Sequence, residues 1–494
     1  MRLSAAAIRS DSAQALFSNK AVSVPDYDPA ATSAGIVHLG IGAFHRAHMA
    51  AYVDSLLAKN PEWAIIGASL RRPDTRDALA QQDFLYTLAI RDASGTKARI
   101  IGAIRDVVDA SADRTQLIET MALPAIRIVS LTVTEKGYCS APATGELDES
   151  HPDIVHDLAH PDAPLSAPGI IVAALKLRRK RGLIPFTVMS CDNLPSNGRT
   201  AGRIVRRFAA LTGDKALEDY VNTVSFPSTM IDRIVPATTD ADRNIVNEII
   251  GLDDAWPIMT EPFTQWVIED DFPAGRPPFD AAGAQLVEDV EPFELMKLRM
   301  LNGSHSTMAY LGYLGGHQYV SEAIADPAIR KLIHGLMTDE VIPTLPMPRE
   351  SLEAYRDQLL ARFANPALNH RTWQIAMDGT QKLPQRLLGT IRARIEAGQP
   401  YTRLALGVAA WMRYVTGIDE KGQPIDVKDP LSARLRQLAD AAGPDADRLA
   451  ESLLTVTEVF GTDLPASKPF RDEVTTHLRS LFANGAAETV RRIE

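Results

Sequence analysis

Short apolar runs alternate with amphipathic stretches along the first half of the chain. The runs WAIIGASL, FLYTLAI, ARIIGAI, IRIVSLTV and PFTVMSC have the length and composition of strands. Between them, stretches such as DRTQLIETMA, APGIIVAALKLRRKRG and NGRTAGRIVRRFAALTG are typical of helices. Strands interleaved with helices predict an α/β domain with a mainly parallel sheet.

The pattern changes near residue 285. A proline-rich stretch, WPIMTEPFTQWVIEDDFPAGRPPFDAAGAQLVEDVEP, is predicted to cross between domains there. Beyond it, PAIRKLIHGLMTDEVIP, LEAYRDQLLARF, YTRLALGVAAWMRYV and PDADRLAESLLTVTEVF have apolar faces with helical period. We therefore predict an α/β domain over residues 1–285 and a mainly α-helical domain over residues 286–494.

Length, charge and cysteine content restrict the classes of protein. The chain has 494 residues, of which 45% are hydrophobic, so it can bury the cores of two or three domains. No apolar run approaches the ~18 residues of a membrane span, and the start lacks a secretory segment, so we expect a soluble, cytoplasmic protein. The net charge of -10 disfavours a nucleic-acid partner, and the basic cluster LRRKRG is expected to be the solvated end of a helix. Cys139 and Cys191 adjoin apolar strands, where a buried thiol is ordinary.

The segment GIVHLGIGAFHRAHMAAYVDSLL has the pattern of a strand, a glycine turn and an amphipathic helix, as at the start of a Rossmann-like dinucleotide-binding domain. Gly40 would allow the tight turn, and Gly42 would let the backbone approach a pyrophosphate. The helix, with Ala43 and Phe44 at its start, would direct its free amides to that phosphate. His45 stands in the place of the third glycine, and a plain tight turn would show the same letters.

Three polar residues, Lys297, Asn302 and His305, interrupt the apolar stretch MKLRMLNGSHSTMAYLGYLGG. At about 100° per residue, Asn302 would lie roughly 140° and His305 roughly 80° around the helix from Lys297, so all three can face one cavity. A desolvated amine, an amide and an imidazole are the groups needed to take a proton from an alcohol. The alternative is that Lys297 extends to water, Asn302 bonds neighbouring backbone and His305 is a hydrogen-bonded core histidine.

Polar loops follow three of the predicted strands. Glu135 lies in TEKG after IRIVSLTV, Asn193 lies in DNLP after PFTVMSC, and Asp232 and Arg233 lie in the apolar stretch VSFPSTMIDRIVP. Ligands of parallel sheets bind beyond the carboxyl ends of the strands, so these loops are candidate walls of a site. For each, the alternative is a helix cap or a buried ion pair.

Other chemistries lack their motifs in this chain. None of the eleven tyrosines has a lysine four positions later, as a short-chain dehydrogenase would require. There is no H-E-x-x-H, and the pair His45 and His48 has no evident third ligand, so we expect no catalytic metal. A serine hydrolase would need a G-x-S-x-G turn, which is absent from the sequence.

Several longer motifs resemble one family, the polyol-specific long-chain dehydrogenases and reductases, which includes mannitol 2-dehydrogenase, fructuronate reductase and tagaturonate reductase. The similar stretches are GIGAFHRAH, SLTVTEKGYC, FTVMSCDNLPSNG, MIDRIVP, EPFTQWVIEDDFPAGRP, MKLRMLNGSHS, RTWQIAMDGTQKLPQRLL and ALGVAAWMRY. The resemblance covers nearly the whole chain and implies a metal-independent oxidoreductase that uses NAD. Within the family, TEKGYC and HRTWQIAMDGTQKLPQRLL are most similar to the fructuronate reductase branch, which interconverts D-fructuronate and D-mannonate.

The resemblance also implies roles for residues around the reacting oxygen. These are Lys297 as the general base, Asn302 and His305 as its partners, Asn193 as an oxyanion contact, Asp232 as a substrate contact and Glu135 as a residue that gates proton exchange.

A sugar acid would bring a carboxylate into a protein that is acidic overall, so its pocket must supply cations or amide donors. Lys382 and Arg386 are the leading candidates, followed by His370 and Arg371. The alternative is that these are surface cations at a helix start. Mannitol 2-dehydrogenases, as we align them, have arginine where this chain has Gln374, which weakens a simple polyol assignment.

The residues after WAIIGASL bear on the choice of nucleotide. A carboxylate there would bind the ribose 2′-hydroxyl of NAD, whereas an arginine would favour the phosphate of NADP. Arg71 and Asp74 offer both, and the resemblance together with Asp74 favours NAD. Relatives acting on mannitol, arabinitol or tagaturonate, and a nucleotide-binding sensor without turnover, stay open as alternatives, and we expect a monomer or weak homodimer.

Overall fold

The computed structural model divides into two units, Met1–Glu291 and Pro292–Glu494. It describes residues 1–10, 13, 17, 22–111, 113–141, 144–368 and 370–493. The division falls a few residues after the boundary that the sequence predicts near residue 285. Unit 1 below is Met1–Glu291 and unit 2 is Pro292–Glu494.

The described strands lie in unit 1 and form three sheets. They are β1 (Val22–Ser23), β2 (Ala34–Leu39), β3 (Ala64–Ser69), β4 (Tyr86–Asp92), β5 (Gly95–Ile101), β6 (Ile104–Asp109), β7 (Ile128–Leu131), β8 (Thr187–Ser190), β9 (Thr229–Asp232), β10 (Ile258–Thr260), β11 (Gln265–Glu269) and β12 (Gln285–Val287).

The largest sheet has the strand order β6-β3-β2-β7-β8, and all its neighbours are parallel. Its strands are apolar on both faces, because Ile36 and Ile128 pack into one core while Val37 and Val129 pack into another. The predicted Rossmann-like fold with a parallel sheet is therefore confirmed.

The runs FLYTLAI and ARIIGAI are strands, but they lie outside that sheet. They form β4 and β5, which pair antiparallel in a second sheet of order β1-β5-β4-β10. Only Ala93 and Ser94 connect them, with the Asp92 carboxylate accepting from Ser94 and with Gly95 at a φ of +130°. A connection of two residues can join only antiparallel neighbours, so placing these runs in one parallel sheet was wrong. The third sheet has the order β12-β11-β9.

The helices of unit 1 mostly connect or flank these strands. Those of the described residues are α1 (Ala43–Ala47), α2 (Met49–Asp54), α3 (Asp74–Ala80), α4 (Thr115–Met121), α5 (Thr134–Gly137), α6 (Pro152–Ala159), α7 (Ala167–Lys180), α8 (Asn197–Leu211), α9 (Lys215–Asn222) and α10 (Asp240–Ile250).

The basic cluster at residues 177–182 is only partly solvated, contrary to expectation. Arg178 is buried, and its guanidinium donates to the carbonyl oxygens of Met121, Leu123 and Ile126. These carbonyls lie at and just after the end of α4, and their hydrogen bonds are the reason that burying this cation is tolerated.

Unit 2 is mainly α-helical, as predicted, and its described helices begin with one that starts a residue before the unit. The helices are α11 (Glu291–Met296), α12 (Gly303–Leu314), α13 (Val320–Ala325), α14 (Pro327–Gly335), α15 (Arg349–Phe363), α16 (Thr372–Ala376), α17 (Gly379–Leu383), α18 (Gly389–Glu396), α19 (Thr402–Tyr414), α20 (Ser432–Ala442), α21 (Ala446–Leu454), α22 (Thr457–Phe460), α23 (Asp463–Ala466) and α24 (Lys468–Arg491).

Three π-helical segments, Lys297–Asn302, Leu336–Val341 and Pro384–Leu388, continue helices of unit 2. The buried helix α19 packs against α12 and α24 at the centre of the unit. Among the described residues, no helix combines the length and the apolar content that crossing a membrane requires.

Candidate active site

Strands β2, β7 and β8 end level with one another at one edge of the parallel sheet. Leu39 pairs with Leu131, and Leu131 pairs with Ser190, so the loops after these residues start side by side. The order of the strands reverses between β2 and β7, which is where ligands of such sheets bind. The glycine turn, the loop with Glu135 and the loop with Asn193 therefore share one edge.

Gly40 and Gly42 serve different purposes in the turn after β2. Gly40 has a φ of +91°, and a Cβ there would lie 2.2 Å from the carbonyl oxygen of Thr132. A Cβ on Gly42 would meet no atom nearer than 3.8 Å, so packing within the chain does not require glycine there. The open side of Gly42 fits the predicted approach of a pyrophosphate.

The helix after this turn is shorter than predicted. It begins at Ala43, with Phe44 in its first turn, but it ends at Ala47, and His48 separates it from α2. The Nε2 atom of His48 lies 2.9 Å from the carbonyl oxygen of Gln265, so a tertiary contact fixes the residue at the break. One continuous amphipathic helix was therefore the wrong expectation, and only the amides of a short helix are available to a phosphate.

His45, which replaces the third glycine, is buried and stacks on His38 with the ring centroids 3.5 Å apart. The nitrogens of His38 lie 2.8 Å from the hydroxyls of Ser130 and Thr132. Within the described residues, neither ring nitrogen of His45 has a hydrogen-bond partner. Burial lowers the pKa of His38 to about 3 and holds the pKa of His45 well below its ordinary value. Both rings are thus neutral at physiological pH.

Asp192, directly after β8, fastens the loop that carries Glu135. Its buried carboxylate accepts from the backbone amides of Val133 and Thr134, at 3.0 and 2.8 Å, and from the Tyr138 hydroxyl at 2.8 Å. Burial raises the pKa of Asp192, while these donors favour its charged form. The exposed Glu135 is therefore held on a turn anchored at both ends. The sequence marked this loop, but not the anchoring role of Asp192.

A second polar contact joins the loop of Asn193 to β9. The side-chain amide of Asn197 donates to the carbonyl oxygens of Asp192 and Thr229, each at 2.9 Å. Asn193 itself is exposed, and Asp232 is buried at the end of β9. Asn197 is a further residue that sequence reasoning missed, since an asparagine at the start of a helix is ordinarily read as a cap.

Arg71 and Asp74 follow β3, the neighbour of β2. Both are exposed, and Asp74 begins α3, where its carboxylate lies 3.1 Å from the Arg72 guanidinium. An exposed ion pair of this kind is weak, so the carboxylate can exchange its partner for a ribose hydroxyl. The position suits the predicted nucleotide contact, which stays a prediction.

In unit 2, the catalytic candidates Lys297 and Asn302 are the first and last residues of a π-helical segment. The Gly303 amide donates to the carbonyl of Leu298, five residues earlier, instead of to one four residues earlier. The α-helical angle of roughly 140° between Lys297 and Asn302 therefore does not apply, because the wider π-helical turn rotates less per residue and brings Asn302 closer in angle to Lys297. The side-chain amide of Asn302 has no hydrogen bond to any described residue. This is contrary to the alternative in which the side chain bonds to nearby backbone.

His305 lies in the next turn, on α12, and is buried among rings. Its ring centroid lies 4.6 Å from that of Phe363 and 5.2 Å from that of His370. In the part of the chain that the structure describes, its Nε2 atom has no hydrogen-bond partner. Burial and then the neighbouring His370 hold the pKa of His305 well below its ordinary value, and burial lowers that of His370 to about 4. The structure therefore does not support the alternative in which His305 is a hydrogen-bonded core histidine.

Arg386 lies on the π-helical segment Pro384–Leu388, which packs against the segment of Lys297. The approach is close, because a Cβ on Gly303 would lie 2.8 Å from the carbonyl oxygen of Arg386. The guanidinium donates to the Ser306 hydroxyl at 3.1 Å and forms no ion pair with any described residue. Ser306 is another partner that the sequence analysis missed.

Lys382 lies one turn before Arg386 and points its ammonium group at backbone. It donates to the carbonyl oxygen of Met377 at 2.5 Å, and its one ion pair, with Asp378, is long at 3.9 Å. Burial, followed by the charge of Arg386, lowers the pKa of Lys382 to about 8, and burial lowers that of Arg386 to about 10. The alternative of surface cations is thus wrong for these two residues. Below, His305, His370, Lys382 and Arg386 are called the cationic cluster, after the charged side chains of Lys382 and Arg386.

Arg371 and Gln374 lie apart from the cationic cluster in their contacts. Arg371 precedes α16 and pairs with Tyr319 through its backbone, and both side chains are exposed. No hydrogen bond among the described residues joins either side chain to the cluster. The structure therefore brings His305, His370, Lys382 and Arg386 together and leaves Arg371 and Gln374 at the surface.

Two family models together match nearly the whole chain. The mannitol dehydrogenase Rossmann domain matches residues 34–281, and the mannitol dehydrogenase C-terminal domain matches residues 289–482. These matches define a class of oxidoreductase that acts on CH–OH groups. The chain belongs to the mannitol dehydrogenase family.

Known relatives cover the chain almost end to end. It is 48% identical to the uncharacterised oxidoreductase YeiQ of Escherichia coli (strain K12), over 95% of this chain and 96% of that protein. It is 47% identical to the D-mannonate oxidoreductase of the same organism, over 96% and 98%. Among solved structures, a ternary complex of Pseudomonas fluorescens mannitol 2-dehydrogenase with NAD and D-mannitol has a TM-score of 0.85 at 40% identity, covering 99% of each chain.

Proposed function

We propose that this chain is an NAD-dependent, metal-independent oxidoreductase that interconverts D-fructuronate and D-mannonate. The family supports oxidation and reduction at a CH–OH group, and the relative named D-mannonate oxidoreductase supports a sugar acid as substrate. The ternary complex of the similar mannitol 2-dehydrogenase supports NAD as the cofactor.

One observation carries the choice of a sugar acid over a neutral polyol. Arg386 is half-buried and its burial lowers its pKa, yet its guanidinium donates to a neutral hydroxyl, that of Ser306. A desolvated guanidinium without a counter-ion is costly, and a carboxylate held in a bidentate pair would offset that cost. Lys382 and His370 supply further donors beside it, so the cationic cluster matches the carboxylate of a hexonate.

The proposed proton transfer depends on Lys297 and Asn302, the first and last residues of one π-helical segment. In reduction, the Lys297 ammonium gives a proton to the carbonyl oxygen of fructuronate as it becomes a hydroxyl. Asn302 donates a hydrogen bond to that oxygen, and we assign the same task to Asn193. In the reverse direction, neutral Lys297 takes the proton from the mannonate hydroxyl.

The turn after β2 is the proposed site for the cofactor. NAD, when bound, supplies and accepts the hydride. The amides of Ala43 and Phe44 would hold its pyrophosphate beside the open face of Gly42. Asp74 would accept hydrogen bonds from the ribose hydroxyls, which favours NAD over NADP, with Arg71 as the residue that would admit NADP.

A substrate panel tests the proposal directly. Turnover would be followed by NADH absorbance with D-fructuronate, D-tagaturonate, D-fructose and the pentulose that corresponds to arabinitol. We expect fructuronate to have the highest kcat/KM, and fructose to fall behind by about one to two powers of ten, because it lacks the carboxylate. Comparable kcat/KM values for fructose and fructuronate would refute the sugar-acid assignment. Repeating the best reaction with NADPH tests the cofactor.

The other family activities are the competing outcomes of the same panel. The similar structure holds D-mannitol, so a mannitol 2-dehydrogenase activity is the alternative with a direct observation behind it. Preferred turnover of tagaturonate would instead mean that the enzyme acts on a sugar acid of different stereochemistry. Absence of turnover with every substrate, together with measurable NAD binding, would favour a nucleotide-binding sensor.

A further inference from the structure

A group of potential metal ligands lies in unit 1, outside the residues assigned to hydride transfer. Cys139, His151 and Asp153 place their Sγ, imidazole nitrogen and carboxylate oxygen within 4.8 Å of one another. We infer that these three side chains form a binding site for a divalent transition-metal cation, with zinc as the representative ion. The metal-independent proton transfer proposed above does not involve them.

The three carboxylates around Cys139 differ in whether hydrogen bonds within the protein already occupy them. Asp157 is fully engaged, because it accepts from the backbone amides of Leu165 and Ser166. Asp148 accepts from the amide and hydroxyl of Ser150. The Asp153 carboxylate has neither a hydrogen bond nor an ion pair to any described residue, although its own backbone amide donates to His151. Asp153 is therefore the one of the three that is available to a cation.

The backbone at Cys139 is strained in a way that directs the thiol. Cys139 has a φ of +51°, a region that side chains other than glycine enter at a cost of roughly 1–2 kcal/mol. The residue is buried, and its carbonyl oxygen accepts from the Asp148 amide, which keeps this conformation in place. Strained residues collect where a ligand or a mechanism uses their geometry.

The donor set selects the class of ion. A thiolate, an imidazole and a carboxylate are the ligands of Zn²⁺ and Co²⁺, whereas Mg²⁺ and Ca²⁺ prefer oxygen alone. Thiolate and carboxylate together carry two negative charges, which balance one divalent cation. A tetrahedral ion needs its ligand atoms roughly 3.5 Å apart. The side chains of His151 and Asp153 are partly exposed, and closing by about an ångström would bring the three donors to that spacing, with water as the fourth ligand.

Binding of the metal ion would remove the proton of the Cys139 thiol and break one hydrogen bond of His151. The Cys139 thiol releases its proton to solvent, against burial and nearby carboxylates that raise its pKa to about 12 in the metal-free protein. The His151 Nδ1 atom accepts from the Asp153 amide at 3.2 Å and caps α6. An ion on Nδ1 replaces this bond, and an ion on Nε2 needs the proton on Nδ1, so the cap hydrogen bond is lost in either case.

The site is linked to the loop at the sheet edge. Cys139 directly follows Tyr138, whose hydroxyl donates to Asp192, and both lie just after α5, which carries Glu135. A cation on Cys139 would tie this loop to the start of α6. We therefore expect zinc to slow hydrogen exchange of the amides of residues 134–140.

Cobalt titration of the full chain tests the site. Co²⁺ should produce one equivalent of the near-ultraviolet band of thiolate-to-cobalt charge transfer, and Zn²⁺ should abolish it. Cys139→Ser should remove the band, whereas Cys191→Ser should keep it. His151→Asn retains a good helix cap without the imidazole, and it and Asp153→Asn should each weaken cobalt binding by more than about tenfold, since even outer-shell partners are worth that much.

A matched control separates this site from ordinary surface histidines. His160→Asn changes an exposed histidine at the other end of α6 and should leave the titration unchanged. Circular dichroism melting shows whether each variant is folded. No charge-transfer band in the folded parent chain, or a band that survives in folded Cys139→Ser, would overturn the proposal. Zinc-dependent slowing of exchange at residues 134–140 in the parent, lost in His151→Asn, would support the link to the loop.

Discussion

Replacing Arg386 by methionine should remove most of the enzyme's preference for a charged sugar acid over a neutral sugar. Methionine retains much of the side chain's length but removes the guanidinium that donates to Ser306 and that forms no ion pair with any described residue. A hydrogen bond to a charged group is worth ~1.5–3 kcal/mol, and ~1.4 kcal/mol is a factor of ten. We therefore expect kcat/KM for fructuronate to fall by about tenfold to about a hundredfold, with little change for fructose.

The assay is initial-rate NADH oxidation with both substrates at several concentrations. Lys421→Gln removes an exposed cation from the same unit and serves as the control for long-range charge. Arg386→Lys keeps the charge but not the planar fork and should recover part of the activity. Equal losses for fructose and fructuronate in folded Arg386→Met would mean that Arg386 supports the fold of the site and does not bind the carboxylate.

Three other perturbations have defined outcomes. Lys297→Ala should lower turnover by at least ~10² while NAD binding, measured by calorimetry, is retained; near-normal turnover would contradict the assignment. Gly40→Ala should destabilise the fold, since its Cβ would meet Thr132 at 2.2 Å, whereas Gly42→Ala should melt normally but bind NAD more weakly. Burial holds the pKa of His370 at about 4, below 6.5. The unfolded chain therefore takes up the proton first, and the unfolding free energy from urea titrations should fall between about pH 6.5 and 4. His370 contributes at most roughly 1.4 kcal/mol per pH unit to this slope, so the slope should be shallower in His370→Gln.

Local patterns along the chain predicted four of the five strands of the parallel sheet. β2, β3, β7 and β8 are short apolar runs, and the glycine turn after β2 can be read from the sequence, whereas β6, with the sequence IRDVVD, carries three charged residues and was not predicted. The β4 and β5 hairpin was missed because the short connection at Ala93 and Ser94 was not recognised between two apolar runs. Recognising a two-residue turn would have separated these strands from the parallel sheet.

Contacts between distant residues could not be derived in the same way. Arg386 and Ser306 are eighty positions apart, and nothing in either local pattern says that they meet. Likewise, Asp192 looks like a loop residue or helix cap until its bonds to Val133 and Thr134 are seen. The need for a cation beside a sugar-acid carboxylate marked Arg386 as a candidate, but only the fold shows that no described carboxylate pairs with it.

The π-helical segment at Lys297 shows why the spacing of catalytic candidates cannot be converted to angles without the structure. Apolar periodicity hardly distinguishes five-residue from four-residue hydrogen bonding over so short a stretch. In an α-helix, Asn302 would lie about 140° around the axis from Lys297. The wider turn brings the two positions closer in angle, and the backbone carbonyl of Arg386, on a second π-helical segment, lies against the glycine that follows Asn302. Single π-helical turns inside α-helices are frequent at functional sites, which agrees with the roles proposed for Lys297 and Asn302.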